Sequence, residues 1–515
     1  MLDVCAAPEI MTYAKSLGSQ AAAGFIYISA SHNPIGHNGL KFGLTDGGVL
    51  PGPQVNILIN DLKTLLGSRK MISYLENALK ETDSGLLSAA YSGLSQYKKD
   101  ALSTYKRFTR AVITDFSCDN EAEEVLNVIK EGLKNYPLGI CADFNGSART
   151  VSIDREFLES LGAGFKSIND KPGEICHRIV PEGESLIPCV EFLESCHGVD
   201  PSFTLGYVPD CDGDRGNLVI WDKNRGKARP IDAQEVFALS CAAELAYLAW
   251  TDRLKAKTAL AVNGATSLRV DRIAETFGIK VFRAETGEAN VVGLARRLRE
   301  DGFLVRILGE GSNGGNITHP AAVRDPLNTL LAIIKLLTIR SSHHGGSSKK
   351  GLFEIWCDKS GQMELYRQDF TLGNIIASLP AFNTTSVVSD NGVLKINSVD
   401  HGALKDRYQG IFLRDWEERK NELYSKYGIA GWDAEAFNGS EERQGLKNFG
   451  ESGSGGLKIG FINDEGRKIA CLWMRGSATE PLFRVMADTE GPDHDFEQDL
   501  IKWQRRMLTE ADNMC

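Results

Sequence analysis

Four short stretches of this 515-residue chain concentrate side chains able to do chemistry, and each follows an apolar run. The first is Ser31-His32-Asn33-Pro34, with Lys41 further on. A serine past the end of a strand is a nucleophile when a base adjoins it. Taken alone, the same residues also describe a polar turn. The second is Asp210-Cys211-Asp212-Gly213-Asp214-Arg215. Alternate residues of an extended segment point the same way, so three carboxylates converge. That is costly unless a hard cation sits between them. A calcium EF-hand does not fit: Arg215 stands where that loop needs glycine, and Trp221 where it needs the bidentate glutamate. Oxygen-only ligands favour Mg2+ over zinc, and a solvated acidic turn is the plain alternative.

The third stretch is Gly309-Glu310-Gly311-Ser312-Asn313-Gly314-Gly315. It contains G-x-G-x-x-G, but Asn316 to Pro320 does not open a helix, which a dinucleotide fingerprint requires. Glu310 and Ser312 suit several hydroxyl groups, since carboxylate and hydroxyl pair with sugar oxygens. A flexible loop is the alternative. The fourth is Arg475-Gly476-Ser477-Ala478-Thr479-Glu480-Pro481, with Arg484 beyond. The two arginines offer planar forks to an oxyanion, and Ser477 and Thr479 add hydroxyls. Ser477-x-x-Glu480 is also a capping-box pattern, and a helix N-terminus is itself a phosphate site.

The elements that must position these stretches read as alternating strands and helices. Pro8 to Leu17 predicts a short helix closed by Gly18. Phe25 to Ser29 predicts a buried strand, and Leu2 to Cys5 and Leu40 to Leu44 are its strand companions. Residues 56 to 135 are mostly helical in pattern. Strands are expected at Leu138 to Ala142, Phe203 to Val208, Lys257 to Val262 and Phe303 to Leu308. Helices are expected at Ala233 to Trp250 and Asn328 to Ile339, and an exposed loop at Ser341 to Lys350. Beyond about residue 385 the segments shorten; a charged helix (Arg414 to Tyr427) and a strand (Lys468 to Met474) predict a smaller α+β unit. Strands alternating with helices predict α/β sheets covered on both faces.

The length exceeds what one core organises and predicts about three or four domains; the changes of pattern along the chain divide it at 1–135, 136–250, 251–385 and 386–515. A hydrophobic content of 42% and a charged content of 24% fit a soluble globular protein. A net charge of −10 speaks against nucleic acid and anionic membranes as partners. No apolar run spans a bilayer, and the N-terminal residues lack a signal-peptide pattern. Eleven cysteines occur without a C-x-x-C pair, which predicts reduced thiols and a cytoplasmic address.

In order and spacing, Ser-His-Asn-Pro, Asp-x-Asp-x-Asp-Arg, Gly-Glu-x-Ser-x-Gly and Arg-x-Ser-x-Thr-Glu-Pro resemble the α-D-phosphohexomutase superfamily, the phosphoglucomutase/phosphomannomutase group. The resemblance runs from about Pro8 to beyond Arg484. It implies three related α/β domains with mixed sheets and a C-terminal α+β domain like the TATA-binding protein, set around a central cleft. It implies an isomerase of the intramolecular phosphotransferase kind, interconverting hexose 1- and 6-phosphates of glucose or mannose through a 1,6-bisphosphate. Ser31 then carries the phosphoryl group and joins Asp210, Asp212 and Asp214 as a Mg2+ ligand, with Arg215 in the same motif. His32 and Lys41 flank the phosphoserine, Lys41 as a candidate base. Glu310 and Ser312, together with Glu285 to Val291, face the sugar. Arg475, Ser477, Thr479 and Arg484 grip the substrate phosphate.

The chain also departs from the family pattern. The family's Thr-Ser-Gly-x-Arg-type motif before the phosphoserine is missing, so the first domain is expected to be incomplete, through a truncated gene, a misassigned start or a true variant. A non-catalytic sugar-phosphate-binding homologue is the alternative reading. Gly314 stands where some members carry a histidine, and Ala478 where glycine is usual.

Overall fold

The computed structural model describes residues 1–21, 24–29, 31, 33, 35–344, 347–477 and 482–514. The chain forms two compact units: Met1–Ile231 with Ile317–Ile334, and Asp232–Asn316 with Lys335–Cys515.

The first unit opens with the helix Ala7–Ala21, which runs past its expected end through a kink at Gly18 (φ 69°). Strand β1 (Gly24–Ile28) pairs antiparallel with β2 (Leu40–Leu44), and Tyr27 lies opposite Lys41. The expectation of a buried strand here is corrected. Ile26 and Ile28 are 64% and 65% exposed, and Tyr27 alone of the strand is buried. A β-rich composition says that a segment fits a pleated surface; it does not say that both faces are covered. One face of this two-stranded sheet packs Tyr27 against Ala7, Met11 and Val323. Leu2 to Cys5 is no strand either. Asp3 Oδ1 accepts the Val4 N–H, and Val4 is exposed.

Three helices follow, Gly52–Leu66, Arg69–Lys80 and Ser84–Ser92, none with a buried residue. The next two, Leu94–Thr114 and Asp119–Asn135, bury an apolar stripe that includes Tyr105, Val112, Ile113, Leu126 and Ile129. The main sheet holds β3 (Gly139–Asp143), β4 (Gly164–Ile168), β5 (Phe203–Pro209), β6 (Gly216–Asp222) and β7 (Lys227–Pro230), in the order β4-β3-β5-β6-β7. β3 is parallel to β4 and β5, whereas β5, β6 and β7 run antiparallel. Residues 210–215 are therefore the turn of a hairpin between two buried strands, with Pro209 opposite Gly216.

The second unit begins with the helix Ala233–Trp250, apolar and buried over most of its surface. β8 (Ala259–Asn263) is parallel to both β9 (Lys280–Ala284) and β10 (Ile307–Glu310). The expected strand at Phe303 is displaced and ends at Glu310. A single 3-10 turn, Gly311–Asn313, then leads into strand β11 (Gly315–Thr318). No helix opens after the glycine loop, as the dinucleotide fingerprint would need. The stretch expected as an exposed loop forms a small hairpin of β12 (Ser342–His344) and β13 (Ser347–Lys349).

The C-terminal half of this unit is a β-rich layer backed by two helices. It comprises β14 (Phe382–Thr384), β15 (Val393–Lys395), β16 (Gly431–Asn438), β17 (Glu441–Gln444), β18 (Gly456–Ile462), β19 (Lys468–Gly476) and β20 (Leu482–Glu490). The order is β14-β20-β19-β18-β16-β17, with β15 also on β20. The helix His401–Tyr427, longer than the expected Arg414 to Tyr427, and the helix His494–Asp512 bury Leu404, Tyr408, Phe412 and Trp503 against Leu457, Phe461 and Leu472. Among the described residues, no helix is long and apolar enough to cross a membrane. The cysteines described are free thiols.

Candidate active site

In the first unit the chemistry gathers at the β5–β6 turn. Asp210, Asp212 and Asp214 are all buried, and one carboxylate oxygen from each lies within 4.8 Å of the others. The convergence expected from strand alternation is real, but a turn produces it. Gly213 adopts φ 67°, and Asp210 Oδ1 accepts the backbone N–H groups of Asp214 and Arg215, each at 3.2 Å.

Each carboxylate has one oxygen tied down and one left over. Asp212 Oδ2 accepts from Ser29 Oγ (2.7 Å) and Lys41 Nζ (2.8 Å). Asp214 Oδ2 accepts from Arg324 Nη2 (2.7 Å). Among the described residues, Asp210 Oδ2, Asp212 Oδ1 and Asp214 Oδ1 are buried without a hydrogen-bond donor. Three orphaned carboxylate oxygens, one from each aspartate, fit a hard divalent cation and little else. Burial first, then the like charges of Asp212 and Asp214, push the Asp210 carboxyl well above the ordinary range. Burial works against the Asp214 charge too, but Arg324, Arg215 and Lys41 outweigh it and hold that carboxyl below the usual range.

Ser31 reaches this cluster through its neighbour. Its backbone N–H donates to Ser29 Oγ at 2.8 Å, and Ser29 Oγ donates to Asp212. Ser31 sits at φ 53°, a left-handed conformation uncommon for serine, of the kind retained where function requires it. Lys41 is 4.0 Å from Asp214 and 5.4 Å from the centre of the Tyr27 ring, its cross-strand partner. Burial opposes its charge, yet Asp214 and Asp212 raise its pKa above the ordinary lysine value. In this arrangement Lys41 is an ammonium ion. Arg215 is half-buried, with Nε 3.7 Å from Asp214 Oδ1. His32 lies outside the described residues.

The turn is held from behind by a buried network. Arg149 donates to Gly213 O through Nε (3.1 Å) and Nη2 (2.9 Å), and pairs with Asp154 (3.2 Å) and Asp325 (2.5 Å). Tyr105 Oη donates to Asp325 and accepts from Arg149. Ser29, Arg149 and Arg324 are the residues that sequence reasoning missed here. An Arg-Asp pair at 324–325, just before an apolar helix, was the available signal.

The second unit holds a different chemistry. Glu310 and Ser312, both buried, share one orienting residue at the end of β8. Asn263 Nδ2 donates to Glu310 Oε1 (3.0 Å) and Ser312 Oγ (3.4 Å), and Gly287 N donates to Glu310 Oε1 (2.7 Å). The place expected for a histidine in some relatives, Gly314, has φ 61°, which favours glycine.

Arg475 and Arg484 lie directly opposite each other on β19 and β20. Like charges so placed repel unless neutralised. Here Glu285 Oε1 lies 3.1 Å from Arg475 Nε, and Arg484 Nη1 donates to Val387 O at 2.7 Å. Ser477 N donates to Leu482 O. Thr479, with Ala478, Glu480 and Pro481, lies outside the described residues. The capping-box pattern Ser477-x-x-Glu480 reaches into the same residues, and the described chain resumes as strand β20 at Leu482.

Residues 1–66 match the family model described as phosphoglucomutase/phosphomannomutase, alpha/beta/alpha domain I, and residues 239–355 match that of alpha/beta/alpha domain III. The phosphoglucosamine mutase of Thermodesulfovibrio yellowstonii is 28% identical over 291 residues, 55% of this chain and 52% of that protein. The chain thus spans about half the length of the curated relative it matches. A solved phosphoglucomutase/phosphomannomutase family protein from Burkholderia thailandensis aligns with TM-score 0.52 at 15% identity, over 95% of this chain and 76% of that one. The N-acetylphosphoglucosamine mutase of Aspergillus fumigatus, solved with GlcNAc-6P and magnesium, aligns with TM-score 0.50 at 12% identity, over 98% of this chain and 93% of that one. At these identities the likeness is one of fold.

Proposed function

We propose that this member of the α-D-phosphohexomutase superfamily interconverts hexose 1-phosphate and hexose 6-phosphate through a phosphoserine at Ser31. One observation carries the reading. Three buried aspartates each present an oxygen without a hydrogen-bond donor among the described residues, and the same cluster holds, through Ser29, the backbone of a serine in a left-handed conformation.

The roles follow from the chemistry. Asp210, Asp212 and Asp214 would hold Mg2+, with the phosphoserine as a further ligand. The bound cation offsets phosphate charge and polarises the phosphoryl group. Transfer breaks the bond between Ser31 Oγ and phosphorus and forms one between phosphorus and a sugar hydroxyl oxygen, whose proton passes to a base. Return of the other phosphate to Ser31 completes the isomerisation. Lys41 and Arg324, both cationic beside the aspartates, would stabilise charge on the transferring group, with His32 and Arg215 in support. Lys41 would serve as the base only after giving up a proton, which Asp214 and Asp212 oppose. Glu310 and Ser312 would bind sugar hydroxyls. Arg475, Ser477, Thr479 and Arg484 would hold the phosphate that is not reacting. The division into domains 1–135, 136–250, 251–385 and 386–515 belongs to the same reading.

Glucose and mannose phosphates are the proposed substrates. The phosphoglucosamine mutase relative adds the amino sugar as a third candidate. Turnover of glucose 1-phosphate, mannose 1-phosphate and glucosamine 1-phosphate, measured side by side with Mg2+, ranks them. The function itself is tested by mass spectrometry of the Ser31 peptide and by Ser31→Ala. A phosphoryl-sized mass increment and loss of at least about 1,000-fold in kcat are expected, on the scale seen when a nucleophile is removed. Full activity of Ser31→Ala would refute the reading. Sugar-phosphate binding without turnover by the wild-type protein would favour the non-catalytic alternative.

A further inference from the structure

The second turn of the helix His401–Tyr427 brings a buried lysine to the arginine of the phosphate loop, and none of the roles above uses it. Lys405 is fully buried, yet among the described residues its Nζ hydrogen-bonds no carboxylate. It donates instead to two backbone carbonyls of one glycine turn, Gly453 O (2.8 Å) and Gly455 O (2.6 Å). The next residue of that turn, Gly456, donates its N–H to Glu285 Oε2. The other oxygen of Glu285 takes its own neighbour's amide, Thr286 N, at 2.7 Å, and lies 3.1 Å from Arg475 Nε. A continuous set of contacts therefore runs from Lys405 through residues 453–456 and Glu285 to Arg475.

We propose that Lys405 is a positioning residue of the phosphate grip: by holding the Gly453–Gly456 turn against Glu285, it fixes the guanidinium of Arg475 for an anionic phosphate. The inference rests on the reading of Arg475 as a phosphate ligand.

Three features support this arrangement. Gly455 leaves no room for a side chain, since a Cβ there would lie 2.2 Å from Asn438 Oδ1 and from Phe437 O. Engaging Arg475 through Nε leaves its two terminal nitrogens, which are without a protein partner among the described residues, for a bidentate anion. His401, one helical turn before Lys405, packs its ring over Gly476, where an added Cβ would sit 2.2 Å from His401 Cε1. Both ends of Arg475's strand terminus are thus set by the same helix face. Burial pushes Lys405 down to about 7, the Arg475 charge adding to this and Glu285 opposing it. Either protonation state of the amine retains hydrogens for two carbonyls.

Arg475 holds a phosphate that does not react in a given step, so its contact is the same in ground and transition states. Losing such a contact raises KM and spares kcat. Lys405→Met is expected to raise KM for the hexose 1-phosphate, and the dissociation constant for inorganic phosphate, by about tenfold, with kcat changed less than about threefold. Glu285→Gln should raise both similarly, and the double variant should be no worse than Glu285→Gln alone, because the two residues act in series.

Additive effects in this cycle, or an unchanged KM in Lys405→Met, would overturn the proposal. Should Lys405→Met not fold, Lys405→Arg, which keeps donors for both carbonyls, must hold KM within about threefold of wild type; a tenfold rise there overturns it. The phosphate titration separates this inference from the mutase reading. A wild-type protein that binds inorganic phosphate without turning over hexose phosphates loses the mutase reading only, and the phosphate affinities of the variants still decide the role of Lys405. A wild-type protein that binds no phosphate overturns both.

Discussion

Two strand ends carry the chemistry of the first unit, and they are held in opposite ways. The aspartate turn closes a hairpin inside a five-stranded sheet, and Arg149, Asp154, Asp325 and Tyr105 anchor it from behind. Ser31 lies three residues beyond β1, a strand of a two-stranded sheet with Ile26 and Ile28 exposed, and the three helices that follow in sequence bury no residue. The rigid partner therefore lends its geometry to the weak one. Ser29 and Lys41 are the two hydrogen-bonded ties by which the hairpin docks on Asp212. A side chain on a thin support can still be placed well if its orienting bonds go to a rigid site.

The contrast can be broken most directly through stability. Arg149→Leu leaves Asp154 and Asp325 buried without their cation, and a loss of about 3–5 kcal/mol is expected by urea denaturation. Ile26→Ser, on the exposed face of β1, should cost within about 0.5 kcal/mol. Comparable costs for the two would mean that the hairpin is as firmly held as the turn.

Cation binding sharpens the comparison next. Asp212→Asn removes a ligand charge and the anchor of the Ser31 hairpin together, and Mg2+ affinity by calorimetry should fall at least about 100-fold, the upper end for outer-shell changes. Ser29→Ala removes only the tie; a fall of about tenfold is expected, with Ser29→Thr near wild type. A Ser29→Ala protein with unaltered affinity would show that the hairpin does not orient Asp212.

The smallest effect contrasts the buried acids of the first unit with the buried cation of the second. A bound cation would relieve the acids, whereas Lys405 is relieved by losing a proton. Its folded pKa, about 7, lies below the ordinary 10.5, so between those values the unfolded chain binds more protons. Stability from this group rises with pH across that window and stays at its low level below about pH 7. The wild-type protein should gain melting temperature relative to Lys405→Met between about pH 6 and about pH 9. A constant difference would mean that Lys405 keeps its charge throughout.

What sequence made legible follows a rule of distance. The aspartates, Glu310 with Ser312, and Arg475 with Arg484 are local in the chain, and local spacing put them on turns and facing strand positions. The helix Ala233–Trp250 was legible to the residue because its apolar run is bounded by Asp232 and a polar stop at Thr251. Ser29 and Lys41 on Asp212, Arg324 on Asp214, and Lys405 on residues 453–455 were not, because the paired residues lie 48 to 183 positions apart.

By itself, then, the sequence determined which chemical groups exist and on which local turns they sit: a serine after a strand, three carboxylates in one loop, and arginines flanking another. Those facts need only periodicity and residue type. The tertiary structure decided which oxygens are left bare, which cation sits against which carboxylate, and which face of β1 is open to solvent. Burial and long-range hydrogen bonds set those, and neither is a property of a segment on its own.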